Sequence, residues 1–269
     1  MTTLEAASNA IPPSGSGRTA LITGAGSGIG RAIACGLAAD GFRVLLSGRN
    51  LAALEEVQAA VTAAGGRAEV HRADLADRAA TDRLAALIGA TAAPLSVVVH
   101  NAALGGPSPL DERGTAEFDR RLEIDLVAPF RLTRALLPHL AKDGSGRIVA
   151  ISSVLARFGV PDYHAYSAAK AGLIGLCRAL SKELARDRIT ANAVLPGWTR
   201  TAMAEESWLR LGRTAGGDAR TGEAAAMKDV PLGRAVRADE IAGFVRWLCS
   251  DAAEAFTGQA VAFDGGVTA

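Results

Sequence analysis

The 269-residue sequence lacks an excess of charge of either sign: 29 Lys and Arg stand against 28 Asp and Glu, a formal net charge of +1. A broad electrostatic grip on nucleic acid or an anionic membrane needs such an excess, so neither partner is expected. Cysteine is scarce. Cys35, Cys177 and Cys249 are odd in number, far apart and set in apolar surroundings, which excludes a small disulfide scaffold and fits reduced cytosolic thiols. The four histidines, His71, His100, His139 and His164, are scattered, so no Cys/His cluster has metal-ligand spacing and no metal is expected. No apolar run reaches the roughly 18–20 residues that span a bilayer. The opening MTTLEAASNAIPPSGSG has neither a basic start nor an apolar stretch, so no secretory leader is expected and the setting reads as cytoplasmic.

What is present is apolar material for a large core: 49% hydrophobic residues and 21% charged ones, over a length that suits one large α/β domain. Residues 1–17, rich in Pro, Ser and Gly, read as a flexible tail, and 18–269 as the domain. Seven short apolar runs, 19–24, 43–48, 68–73, 95–102, 147–153, 189–197 and 260–266, are strand candidates. Several are apolar at nearly every position, as in strands covered on both faces. Alanine-rich helical stretches lie between them, at about 28–39, 50–64, 77–90, 126–142 and 163–186. This alternation predicts a single-domain, doubly wound parallel sheet of Rossmann type with helices on both faces. Residues 198–230 break the rhythm and read as a substrate lid, because a long irregular insertion in a compact domain is commonly functional.

The first strand candidate runs into Thr23-Gly24-Ala25-Gly26-Ser27-Gly28-Ile29-Gly30, just before a helix. Glycines at such a turn let the backbone approach a pyrophosphate while helix N–H groups point at it. The spacing is G-x-x-x-G-x-G, and a glycine-rich turn alone is also compatible with any tight connection. The second strand ends in Ser47-Gly48-Arg49-Asn50, where a cofactor with a free ribose 2′-OH would meet an acid. There is none. Arg49 suits a 2′-phosphate, or else is a solvated residue opening the next helix.

Tyr166 and Lys170 stand four apart in YSAAK, and on a helix they share one face. An ammonium near a phenol favours the phenolate, which would move Tyr166 toward acid/base use; a plain surface pair is the alternative. Tyr163 lacks such a partner, since position 167 is serine. Ser153, at the end of the fifth strand candidate, could donate to a substrate oxygen facing Tyr166.

With these motifs in order, the chain resembles the short-chain dehydrogenase/reductase family, in the branch that includes 3-oxoacyl carrier-protein reductases. The resemblance runs from about Arg18 to Gly266 and also takes in Asp74-Leu75, His100-Asn101-Ala102-Ala103, Pro196-Gly197-Trp198-Thr199-Arg200-Thr201, Pro231-Leu232-Gly233-Arg234 and Asp264-Gly265-Gly266. It implies a nicotinamide cofactor, NADP(H) preferred and NAD(H) possible, and a homotetramer. Gly24, Ser27, Gly28, Ile29 and Gly30 would form the cofactor loop; Asp74 and Leu75 would border the adenine. Asn101 and Ala102 would line the cofactor, and Pro196, Gly197, Thr199 and Thr201 would hold its nicotinamide end. Lys170 would bind the ribose and activate Tyr166 as acid/base, with Ser153 steadying the substrate oxygen. One residue departs from the family: Asp125 stands where an asparagine usually helps hold a relay water. It is either a near-isostere that keeps the helix bend and relay, or the source of a weakened or pH-shifted relay.

The expected activity is interconversion of a carbonyl and an alcohol. An NAD-dependent dehydrogenase of a secondary alcohol or sugar is the alternative, and a non-catalytic cofactor-binding sensor or scaffold the rival from another class. Acyl carrier protein remains open as a partner, because Lys142-Asp143-Gly144 and Arg186-Asp187-Arg188 are mixed in sign. Met203, Trp208, Leu209 and Leu211 would close over an apolar substrate or pack the lid on its own domain. Arg210 and Arg213 read as an exposed charged face, His100 and His164 as structural, and Cys177 as core.

Overall fold

The computed structural model describes residues 15–90, 94–108, 110 and 114–269. Most of the expected tail, residues 1–14, lies outside them. Seven strands form one parallel sheet: β1 (Thr19–Thr23), β2 (Arg43–Gly48), β3 (Arg67–Arg72), β4 (Leu95–His100), β5 (Arg147–Ile151), β6 (Thr190–Pro196) and β7 (Ala260–Phe263), in the order β3-β2-β1-β4-β5-β6-β7. Each expected strand is present: β2 has the expected bounds, β3 lies one residue earlier than expected, and the others are cut back by up to three residues where the chain turns into a loop. This is the Rossmann-type architecture that the alternation predicts.

Burial explains the apolar runs. Along β1, Ala20 and Ile22 join one core while Leu21 joins the other, so the period of two feeds two covered faces. The first core is closed by α1 (Gly28–Ala39), α2 (Leu51–Ala63) and α9 (Ala238–Leu248), through Ile33, Leu37, Leu54, Ile241 and Val245. The second is closed by α3 (Arg78–Gly89), α5 (Ala128–Leu136) and α6 (His164–Glu183), through Leu84, Leu132, Leu136 and Leu180. Local chemistry starts these helices: the Asn50 and Asp77 side chains accept from the Ala53 and Ala79 N–H groups, and Glu240 reaches back to the Arg237 N–H at 2.8 Å.

Four helices were not anticipated. The short α4 (Gly114–Leu122) buries only Gly114 and Arg121, so no apolar stripe announces it. The segment 198–230 is not irregular: α7 (Ala202–Thr214) and α8 (Ala219–Met227) pack against each other, with Gly222 so close that a Cβ would lie 1.8 Å from the Trp208 carbonyl oxygen. The fourth, α9, does carry a stripe, with Ile241, Ala242, Val245 and Leu248 all buried. Among the described residues, no helix is long and apolar enough to cross a membrane.

Candidate functional site

The strand order reverses between β1 and β4, and a crevice opens there at the carboxyl ends of the strands. It widens into a cavity of about 1590 Å³ that runs from Arg49 and Asp74 past the glycine turn to Ser153, Tyr166 and the inner side of α7.

The glycine turn is a cradle held from behind. Gly24 and Gly28 have φ of +65° and +51°, in the left-handed region where side chains are strained. A Cβ on Gly30 would lie 2.2 Å from the Gly24 carbonyl oxygen, so Gly30 packs beneath the turn and does not line the cavity. Asn101 Nδ2 donates to the Thr23 and Gly24 carbonyls at 3.0 and 3.1 Å. The Thr23 hydroxyl accepts from the Asn101 and Ala102 N–H groups and donates to the Val99 carbonyl. Thr23 thus fixes the β1 and β4 ends together, a role its place beside the glycines could have signalled. Ser27 makes no side-chain cap on α1, so the helix presents bare N–H groups to the cavity. Backbone exposed by glycine at a bare helix N-terminus fits a dinucleotide pyrophosphate.

Ile29, Leu75, Ala102, Pro196, Gly197, Thr199 and Thr201 line the same cavity, with Gly24, Ser27, Gly28, Arg49, Asp74 and Asn101. Arg49 is exposed, and its carbonyl accepts from Arg72 Nε at 3.3 Å. Asp74 accepts from the Ala76 N–H. Thr201 caps α7 and donates to the Thr199 carbonyl, while Thr199 donates to the Gly197 carbonyl. A Cβ on Gly197 would crowd Asp264, which holds Gly266 and Thr268.

Tyr166, Lys170 and Ser153 converge at the other end. Lys170 is buried; its Nζ donates to the Ile151 carbonyl at 2.9 Å and lies 5.4 Å from the Tyr166 ring centroid. Ser152 donates to the Lys170 carbonyl and ties α6 to β5. Ser153 Oγ accepts from the Leu155 N–H, and its hydrogen bond to Tyr166 favours the phenolate. The lowering expected from Lys170 is not what this arrangement shows: burial first, then the Asp125 charge, hold the Tyr166 phenol above its ordinary value. Burial pulls Lys170 down, opposed by Asp125.

Asp125 does not line the cavity. It sits inside a one-turn π-helix, Glu123–Val127, between α4 and α5. Its Oδ1 accepts from the Leu104 N–H at 2.9 Å, and its Oδ2 has no hydrogen-bond partner among the described residues. Burial raises its pKa, against Lys170, the Leu104 N–H and Arg121. Arg121, which no sequence pattern marks, is buried beside it and donates to the carbonyls of Leu104, Gly106 and Pro107 while pairing with Glu117. Arg121 and Asp125 together pin the loop after β4 to the cavity wall.

The remaining candidates separate. Trp208 is buried against Trp198 and Ala235, whereas Met203 and Leu211 line the cavity and Leu209 faces outward. Arg213 is exposed as expected, but Arg210 turns inward and donates to the Tyr163 hydroxyl. His164 stacks on Phe118, away from the cavity; His100 is buried against Thr133. Burial pushes the Cys177 thiol up to about 12, an inert core position. Lys142 pairs with Asp187 and Arg188 with Glu254, while Arg186 is exposed.

A fold of this order with a glycine cradle and a Ser, Tyr and Lys set at one cavity defines a nucleotide-dependent oxidoreductase class, and comparison with known proteins agrees. The family model described as enoyl-(acyl carrier protein) reductase matches residues 24–268. A cis-4-hydroxycyclohexanecarboxylate dehydrogenase of Sinomonas cyclohexanicum is 38% identical over 94% of this chain and 97% of its own. A 3-oxoacyl-[acyl-carrier-protein] reductase of Synechocystis is 33% identical over 93% and 96%. The crystal structure of a variant actinorhodin polyketide ketoreductase with NADPH superposes with a TM-score of 0.86 at 32% identity, covering 95% of this chain and 98% of that one. The chain belongs to the short-chain dehydrogenase/reductase family.

Proposed function

We propose that the protein interconverts a small carbonyl compound and its alcohol with NADP(H), using Tyr166 as the proton donor and acceptor. The observation that carries this reading is the convergence of Ser153, Tyr166 and Lys170 on one cavity with the glycine cradle. The cofactor, when bound, supplies or accepts the hydride. Gly24, Ser27, Gly28 and Ile29 hold its pyrophosphate, Asp74 and Leu75 border its adenine, and Arg49 faces a 2′-phosphate. Asn101 and Ala102 line its middle; Pro196, Gly197, Thr199 and Thr201 hold the nicotinamide end.

On the protein side, Ser153 donates to the carbonyl oxygen and Tyr166 delivers its proton to that oxygen as the alcohol forms. With its pKa raised, the buried phenol keeps its proton at neutral pH but is a weaker acid than a free tyrosine, so delivery calls for a positive charge beside it that stabilises the phenolate. Lys170 would hold the ribose of the bound cofactor and set a positive charge beside the phenol, while Asp125 holds the loop after β4 through the Leu104 N–H. Helices α7 and α8 act as the substrate lid over one dinucleotide-binding domain. Three free cysteines, among them buried Cys177 and Cys249, fit a cytoplasmic setting, and the assembly is a homotetramer.

Two experiments test this reading. Tyr166→Phe keeps the fold by circular dichroism and loses about 10²–10⁴ in kcat against ketone and aldehyde substrates; an active variant overturns the role of Tyr166. Arg49→Ala weakens NADPH binding by about tenfold and leaves NADH unchanged, as expected on losing one charge-assisted contact to a phosphate. An unchanged NADPH affinity restores the NAD-dependent dehydrogenase. Tight cofactor binding without turnover on any carbonyl or alcohol supports the sensor or scaffold instead.

A further inference from the structure

Arg210 projects from α7 into the wall of the cavity, half-buried, on the substrate side of Tyr166. One of its guanidinium nitrogens donates to the Tyr163 hydroxyl at 2.6 Å and to Ser207 Oγ at 3.3 Å. Both partners are neutral, so they orient the fork without compensating its charge. Among the described residues no carboxylate lies within ion-pair distance of it. The other cations of the wall are engaged or distant: Arg200 pairs with Glu223 and stacks on Trp208, Lys170 donates to Ile151, and Arg49 stands at the far end. Two acids of the wall, Asp162 and Asp229, are exposed.

Tyr163 fixes where this charge stands. Its ring meets that of Tyr166 edge-on, 6.3 Å between centroids, so the guanidinium lies one aromatic ring from the phenol. Leu155, Val160, Met203 and Leu211 supply apolar surface around them, with Ser207, Thr214 and the exposed Asp162 as polar neighbours. A single cation oriented by two hydroxyls and paired with no carboxylate matches one anionic oxygen pair, and a planar guanidinium takes a carboxylate through two parallel hydrogen bonds. A phosphate, with its greater charge, would call for a second cation that this wall does not offer.

We infer that Arg210 anchors a carboxylate on the substrate, so that the protein acts on small hydroxy or oxo acids whose reacting carbon lies a short aliphatic or ring spacer from the acid group. The inference rests on the reading of Tyr166 as the reacting group, and it names the substrate class of that same site. Arg210 binds the far end of the substrate, while Tyr163 and Ser207 are positioning residues that aim it.

Calorimetry on the full chain with saturating NADP⁺ tests this without relying on turnover. The probes are 4-methylpentanoate against 4-methylpentanamide, and benzoate against benzamide. Each acid should bind at least tenfold more tightly than its amide, and Arg210→Met should bring that ratio to about one. Equal binding of acid and amide by the unaltered protein, or binding of neither, overturns the proposal. So does an Arg210→Met protein that weakens acid and amide by one factor, since Arg210 would then only latch α7 to α6. If Arg210→Met does not fold, the ratio in the unaltered protein decides, and Tyr163→Phe should lower it selectively. Acid binding by a Tyr166→Phe protein separates the two readings: active Tyr166→Phe overturns the acid/base role and leaves the acid-to-amide ratio standing.

Discussion

His100 shows how one buried side chain carries a pH dependence that has nothing to do with catalysis. It ends β4, packs under α5, and its Nε2 lies 2.7 Å from Thr133 Oγ1. Burial lowers its pKa from 6.5 to about 4, because the charged ring would lose its water without gaining a counter-charge. The unfolded chain therefore binds the proton more readily than the folded one between those two values. Stability is fully present above pH 6.5 and falls as pH drops toward 4, by roughly 3 kcal/mol for this shift. Denaturant unfolding between pH 7.5 and 4.5 should show this decline, and His100→Asn should flatten it. Equal pH slopes in the two proteins would remove His100 as the cause. At the same scale, Tyr166 and Lys170 are legible in sequence because helical spacing alone puts them on one face. The charge state of the phenol is not, because burial and Asp125 reach it from elements distant in the chain.

At the scale of elements, the π-turn at Glu123–Val127 is the segment where local sequence and tertiary context part. An extra residue in a helical turn frees backbone groups and re-aims a side chain, and such turns recur at functional sites. Here the turn places Asp125 behind the loop after β4, with one oxygen on the Leu104 N–H. Its charge raises the pKa of Tyr166, so Asp125→Asn should lower it. In the alcohol-oxidising direction, where the phenolate accepts the proton, the alkaline rise in rate should move to lower pH in the Asn variant. A profile that stays in place or moves upward would exclude Asp125 as a charge felt by the phenol. The strands were readable because apolar side chains fill both faces of a parallel sheet, whatever the loops do. By contrast α4 was not, since its buried inward residue is Arg121, a charge satisfied by three loop carbonyls that the sequence does not reveal. The pair α7 and α8 was hidden for a related reason: Gly212, Gly217 and Gly222 look like loop residues, yet Gly212 and Gly222 permit close helix packing.

Across the whole molecule, stability is unevenly shared, and that unevenness sits at the substrate end of the cavity. Two extensive apolar clusters clamp the sheet between its helical layers. The α7–α8 pair has its own small cluster of Ala204, Trp208 and Ala235, with Trp198 and Met227 packed against it, separate from both. A unit that buries little apolar surface opens at a lower free energy than the sheet it rests on. Its ties to the body near the cavity are few: Arg210 to the Tyr163 hydroxyl on one side, and Met203 packed against Gly105 on the other. Hydrogen exchange should therefore show amides of α7 and α8 exchanging well before those of β1, β4 and β5. Saturating NADP⁺ should slow α7 most near Thr201, where the helix starts at the cavity, and protect the α9 amides least. Ligand linkage sets the scale: at one hundred times Kd, an opening that releases the cofactor becomes about 2.7 kcal/mol costlier, close to a hundredfold in exchange rate. Equal exchange in α7 and in the sheet, with or without cofactor, would mean that the pair is a fixed part of the body and that substrate enters without its opening.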